Sequence, residues 1–566
     1  MRVTSPLARA TSALAIIAIC CGQVAAGPPP PPPPPPTPIQ HVVVIFQENV
    51  SFDHYFGSYP NANNPPGDPR FVAQPGTPTV NGLTGSLLTN NPNFLNAANG
   101  TNAINPFLLG RNQASTCDQD HNYGDEQSAF DMGLMDLFPL KVGDGDGPFC
   151  LDNYSYGMGN GLVMGYFDGN TVTAMWNYAQ NYALNDNFHG TTFGPSTPGV
   201  VNLVSGNTHP ATLIKGSSQK VVDETLVGDV DPAGDVCSST TLTVQMGGQN
   251  IGNLLTAAGL SWGSFMGGFD LTVTNPNGTT GCARSSQATA ANDVTNVPPQ
   301  PTDPGFFTAD YIPHHSFFNY WPSTANPNHT RPSVPPSEYG MFGLTGPTTD
   351  AANHNYDTHD FFDALNANNL PAVSFLKAPA NMDGHAGYSD PLLEQQFVVS
   401  VINAVQSSPF WHSTAIMITW DDSDGWYDHQ IGPIVNSSAV SQTTAADSDE
   451  LNGPGKCGNG TPLGGFQGRC GYGPRIPMLL ISPWAKQNFV DNTLTDQSSI
   501  IHFIEDNFGL GQIGDGSFDA ISGSLDNMFD FSHGPGQGPG PHDRRLILDD
   551  QTGEPVPPGP PPPPAR

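Results

Sequence analysis

Glu48 and Asn49 set a carboxylate and an amide oxygen side by side, directly after the apolar run His41-Val42-Val43-Val44-Ile45-Phe46 and Gln47. Both are hard ligands suited to a divalent cation, although two such residues also serve as helix caps. A second polar stretch, Asp421-Asp422-Ser423-Asp424-Gly425-Trp426-Tyr427-Asp428-His429, follows another apolar run that ends at Trp420. Adjacent carboxylates beside a buried strand repel each other unless a cation or a shared proton neutralises them. A bound metal accounts for the pair; a solvated acidic loop is the bland alternative. The third place is Gly194-Pro195-Ser196-Thr197-Pro198-Gly199, ahead of the apolar Val200-Val201-Asn202-Leu203-Val204. Here Ser196 stands at the start of a helix, where free backbone N–H groups favour an oxyanion on an attacking side chain. Ser is also a common N-cap, and the segment lacks the G-x-S-x-G elbow of serine esterases. Histidines offer a positive group for a phosphoryl oxygen, or a proton for a leaving alkoxide. His121 follows Asp118-Gln119-Asp120, His385 follows Asp383-Gly384, and His314-His315 form a pair.

The elements that would position these groups are strands buried on both faces. Besides His41 to Phe46, the apolar runs Ala372 to Leu376, Thr414 to Trp420 and Ile476 to Ile481 read as strands. Helices are expected over His359 to Asn369, over Leu392 to Gln406, and after an Asp496 N-cap. Strands alternating with helices predict an α/β fold with a mostly parallel sheet, in which ligands bind beyond the carboxyl ends of the strands. From about 60 to 153 and from 221 to 356, Asn, Gly, Pro and Thr dominate and periodicity is weak, which reads as two long insertions.

Composition narrows the class of partner. Lys and Arg total 17 against 50 Asp and Glu, a net charge of -33, which disfavours nucleic acid and anionic membranes. The first 26 residues carry Arg2, Arg9, the apolar run Leu14 to Ile19 and the small residues Ala25 and Ala26, and read as a secretory signal. Ile19 stands where a lipid-attachment box ahead of Cys20 needs a small residue. A Pro-rich linker over 27–39 and a Pro-rich tail over 546–566 flank a body over 40–545. The six cysteines beyond the signal, Cys117, Cys150, Cys237, Cys282, Cys457 and Cys470, fit disulfides paired most simply as sequence neighbours. A secreted or periplasmic protein without stable membrane insertion is the expectation.

Glu48-Asn49-Val50-Ser51-Phe52-Asp53-His54-Tyr55-Phe56-Gly57 closely resembles the opening motif of the bacterial phosphoesterase family that contains phospholipases C and a branch of acid phosphatases. The Ser196 segment, His121 after Asp118-x-Asp120, and the Ile416 to His429 segment fall in that family's order, so the resemblance covers most of residues 41 to 508. It implies an alkaline-phosphatase-like, three-layer α/β/α core and a phosphoserine intermediate. By motif, Glu48, Asn49, Asp421 and Asp422 would hold one divalent cation, and Ser196 would be the nucleophile. His121 and His385 would contact the phosphoryl group or protonate the leaving oxygen, with His315 binding substrate beside them. The oxygen-rich ligands favour Ca²⁺ or Mg²⁺, while related phosphatases also use Zn²⁺.

The substrate would be a small phosphate ester or a phospholipid headgroup. Val50 stands where many members carry Arg, and Gly199-Val200 stand where phospholipases often have Asn-Arg. The Asp421-Asp422 pair, where phospholipases tend to have Asp-Glu, leans toward the acid-phosphatase branch, a phosphomonoesterase. A phospholipase C-type diesterase would gain from an apolar rim, for which Phe317-Phe318-Asn319-Tyr320-Trp321 is the candidate, core packing being its other reading. More distant alternatives are a glycoside hydrolase using the Asp421 cluster and a non-catalytic surface module on proline stalks.

Overall fold

The computed structural model describes residues 1, 35–143, 159–288, 307–341, 350–532 and 544–557. Apart from Met1, the signal segment read over 1–26 lies outside them, as do the linker up to Pro34, Cys150 and the tail from 558.

The β-branched and aromatic runs form the central strands. In chain order the large sheet comprises β1 (His41–Gln47), β2 (Ala183–Asn185), β3 (Trp262–Met266), β4 (Asn355–Asp357), β5 (Val373–Lys377), β6 (Thr414–Trp420), β7 (Met478–Ile481) and β8 (Phe489–Asp491). Their order across it is β4-β3-β5-β1-β6-β7-β2-β8. β1 lies at the centre, parallel to β5 and to β6, while β7 runs antiparallel to both its neighbours, β6 and β2. Every residue of β5, β6 and β7 is buried, so both faces of the sheet are covered.

The principal helices are α1 (Phe52–Phe56), α2 (Tyr123–Phe130), α3 (Thr173–Asn181), α4 (Ser196–Ser205), α5 (Ile251–Ala258), α6 (Thr358–Asn366), α7 (Pro391–Ser407) and α8 (Ser498–Phe508). α4 packs with α5 and α8, and α3 packs with α7. Local sequence sets their starts. Asp390 caps α7 by accepting from the N–H groups of Leu392 and Leu393 at 2.8 and 2.9 Å, with Pro391 in the first turn. Asp496 accepts from Ser498 N at 3.1 Å at the start of α8.

Two boundaries differ from the sequence reading. The stretch 221–356, read as an insertion, supplies β3 and β4 to the central sheet, hydrogen-bonded to one another and through β3 to β5. These strands have five and three residues, too few to announce a period among the turn residues around them. The segment from Arg544, read as tail from 546, packs on the body. Leu548 is buried, and Asn403 and Gln406 of α7 bond to the backbone of Leu548 and Leu546. Cys237 pairs with Cys282 and Cys457 with Cys470, as sequence neighbours. No helix among the described residues is long and apolar enough to cross a membrane.

Candidate functional site

The parallel register of β5, β1 and β6 decides what meets at their carboxyl ends. Gln47 is level with Trp420, so Glu48 and Asn49 leave the sheet beside Asp421 and Asp422, while Lys377 ends β5 on the other side. The backbone N–H groups of Asn49 and Asp422 both donate to Asp421 Oδ1 at 2.9 Å. Asn49 takes φ +64°, a left-handed conformation that Asn tolerates better than most residues, and this turns its side chain to Asp424. Asn49 Nδ2 donates to Asp424 Oδ1 at 3.0 Å and lies 3.4 Å from His121 Nε2.

Ser196 is the first residue of α4 rather than its cap, which is Pro195. Its hydroxyl donates to Glu48 Oε2 at 3.0 Å. Gly199 makes this approach possible, since a Cβ there would stand 2.4 Å from the Asp421 carbonyl oxygen. His315 Nδ1 lies 3.2 Å from Glu48 Oε1, and the His385 ring is centred 6.0 Å from that of His121 and 6.5 Å from that of His315. All eight residues singled out in the sequence therefore converge, with Ser196, His121 and His385 lining a cavity of about 350 Å³.

Charge in this site is held by burial and by a few fixed partners. Burial and then Asp421 push Glu48 well above the usual carboxylate range, and the same two causes raise Asp422. Burial alone would lower His121, but Asp422, Asp118 and Asp229 outweigh it and hold the ring up at about 10. His385 is pushed down to about 3 by burial and then by the charge on His121. One imidazole is thus a standing cation and its neighbour a neutral ring.

Sequence reasoning missed Lys377 and the role of Asp383. Lys377 is 1% exposed and ion-pairs with Glu48, with Asp421 Oδ2 at 3.5 Å. A lysine closing a buried strand after Phe375-Leu376 was the available signal. Asp383 accepts from His385 N at 3.0 Å through its side chain and from Glu48 N at 2.9 Å through its carbonyl, so it braces both. The aromatic cluster expected as a possible rim is core instead: Phe317, Phe318, Tyr320 and Trp321 are at most 1% exposed.

The oxygen set fits a hard cation. Asn49 Oδ1, Asp422 Oδ2 and Asp424 Oδ2 are buried acceptors without a hydrogen-bond donor among the described residues, grouped at one strand end with like charges. Such oxygens are costly in a low dielectric unless a cation faces them.

Over 510 residues the chain is 25% identical to a non-hemolytic phospholipase C of Pseudomonas aeruginosa, covering 88% of this chain and 58% of that protein's length. It is 22% identical over 508 residues to phospholipase C A of Mycobacterium tuberculosis, covering 88% and 78% respectively. Among solved structures it is similar to murine ectonucleotide pyrophosphatase/phosphodiesterase 5, with TM-score 0.29, 12% identity, and coverage of 63% of this chain and 95% of that one. A protein in the alkaline phosphatase superfamily from Vibrio parahaemolyticus gives TM-score 0.25 and 11% identity, covering 81% of this chain and 82% of that one. The family model described as Phosphoesterase matches residues 39–511, nearly the whole described body and every residue of the site above, and the chain belongs to that family.

Proposed function

We propose that the protein is a secreted, divalent-metal-dependent phosphomonoesterase working through a phosphoseryl intermediate on Ser196. The observation that carries this reading is the Ser196 hydroxyl at the N-terminus of α4, hydrogen-bonded to a buried carboxylate and open to a cavity edged by His121 and His385. Glu48, Asn49, Asp421 and Asp422 would hold the ion, which when bound lowers the pKa of a nearby hydroxyl and screens an anionic ester. Glu48 Oε2 is the acceptor already in place for the Ser196 proton. As Ser196 Oγ bonds to phosphorus, the bond from phosphorus to the ester oxygen breaks, and the cationic His121 stabilises the equatorial oxygens or protonates the leaving alkoxide. His385, neutral and braced by Asp383, orients the phosphoryl group, and His315 holds Glu48 from behind. Water then cleaves the Ser196–phosphate bond and restores the hydroxyl.

A monoester suits the lining, which is mainly polar, with the nearby aromatic cluster committed to the core. The phospholipase C relatives favour a second reading, a diester with a small polar headgroup. The two disulfides among the described residues fit export to an oxidising compartment. The test is hydrolysis of p-nitrophenyl phosphate and p-nitrophenyl phosphorylcholine, each with chelator and with Ser196→Ala. The expected result is chelator-sensitive release from the monoester that Ser196→Ala abolishes. Turnover retained by that variant overturns the mechanism, and preference for the choline diester moves the protein to the second reading.

A further inference from the structure

Lys220 lines the same cavity as Ser196 and, among the described residues, is the one Lys or Arg that does so. It is fixed at its backbone on both sides. Its N–H is met by Ser218 Oγ at 3.1 Å, and its carbonyl accepts from Val227 N at 2.8 Å across the small hairpin of Val221–Val222 and Thr225–Leu226. Its stem lies against Gly228, where a Cβ would come within 3.0 to 3.2 Å of Lys220 Cβ, Cγ and Cδ. The ammonium forms no ion pair with a described residue, although it stands within electrostatic reach of both Asp229 and Asp447. Asp229 is already engaged, accepting from Thr197 N and Thr197 Oγ1 at 2.9 Å. In a chain with 17 Lys and Arg against 50 Asp and Glu, a cation left over in the reaction cavity is a conspicuous use of a scarce residue. The other cation of the cavity, His121, is held by Asp422, Asp118 and Asp229, and the carboxylate of Asp120 accepts from Asn122 N and Nδ2.

We infer that Lys220 is a specificity-determining residue that takes the second negative charge of the substrate, selecting phosphomonoester dianions over singly charged diesters. The inference rests on the phosphoesterase reading of Ser196 and adds a charge rule to it. A monoester differs from a diester at phosphorus by one terminal oxygen and one charge. Lys220 and Asp229 line the same cavity as Ser196 at the start of α4. Each unit of substrate charge within several Å of an ammonium, through an effective dielectric of about 20 to 40, changes binding on the order of tenfold.

The experiment compares kcat/KM for p-nitrophenyl phosphate and bis-p-nitrophenyl phosphate in the wild type, Lys220→Met and Lys220→Arg, with inorganic phosphate binding measured by calorimetry on each. Lys220→Met is expected to lower kcat/KM for the monoester at least about tenfold more than for the diester, mainly through KM, and to weaken phosphate at least about tenfold. Lys220→Arg, which keeps the charge, should stay near the wild type on both. Equal losses on both esters, or unchanged phosphate affinity, overturn the inference. The phosphate titration decides the matter even if neither ester is turned over. Ser196→Ala separates the two levels: turnover surviving in that variant sinks the nucleophile assignment, whereas a charge-blind Lys220→Met beside a dead Ser196→Ala sinks the role of Lys220 alone.

Discussion

Replacing Lys377 with Met would leave Glu48, Asp421 and Asp383 buried together with no permanent positive group against them. Lys377 is fully enclosed at the end of β5 and ion-pairs with Glu48 and Asp421, while Asp383 also feels its charge. Deleting one partner of a buried ion pair costs about 3–5 kcal/mol, because the remaining charge must be desolvated alone or take up a proton. Burial already holds Glu48 and Asp383 above their ordinary values, so protonation relieves the strain as pH falls and the deficit of the variant grows with rising pH. Unfolding entropy of about 2.1 cal/mol/K per residue makes about 1 kcal/mol per degree for a body of about 500 residues, so the variant should melt about 3–5 °C below the wild type in chelator at about pH 8. On the proposed reading, added Ca²⁺ or Mg²⁺ would replace the missing charge at Glu48 and Asp421, and the gap should narrow in scanning calorimetry. A gap within about 1 °C in chelator, or one that widens when the ion is added, would refute the claim that these carboxylates need a cation.

Glu394 offers a pH test remote from the nucleophile. It accepts from Tyr55 Oη and Trp420 Nε1 at 2.7 Å each, and burial holds it up at about 8 against an ordinary 4.5. The folded state thus keeps a proton that the unfolded chain loses, and wild-type stability falls as pH rises from 4.5 through about 8. Glu394→Gln, which cannot ionise, should gain on the wild type by a few kcal/mol across that window and be level below it; a flat difference in melting temperature would contradict this. Arg475 is fully buried, bonds Asp53 Oδ1 at 3.0 Å and both oxygens of Asp428 at 3.1 and 3.2 Å, and ties the loop after β6 to α1. Arg475→Met should cost about 3–5 kcal/mol in urea unfolding, and adding Asp53→Asn with Asp428→Asn should recover part of it; strict additivity would mean that the three do not act as a unit.

The parts of this protein that were legible in its sequence are those in which one strand and its next few residues carry both signals. The run from His41 announces a doubly buried strand, and Glu48 and Asn49 follow it at once; Thr414 to Trp420 and the Asp421 pair repeat the pattern. Because β1 and β6 are parallel neighbours in register, these two local readings were enough to put four candidate oxygen ligands in one place. Ser196 was legible for the same reason, as a helix start. β3, β4 and the packing of Leu548 were not, since short strands carry too few residues for a period and their partners are chosen by the sheet. Lys377 illustrates the remaining limit. Its position at a strand end was visible, but its meaning depends on Glu48, more than three hundred residues earlier in the chain, and on Asp421 from the third strand.

That limit bears on how charge works in the site. A net charge of -33 suggests an enzyme that repels anionic substrates, yet the groups that decide the matter are few and individually placed. Asp422, Asp118 and Asp229 create the cation on His121, Lys377 offsets Glu48 and Asp421, and Lys220 lines the cavity without an ion pair to a described residue. The acidic ligands that would gather a metal are therefore the same groups that charge the imidazole facing the ester. Removing Asp422 would weaken both at once, and for that reason its loss should exceed the sum expected for a ligand and for a histidine partner taken separately.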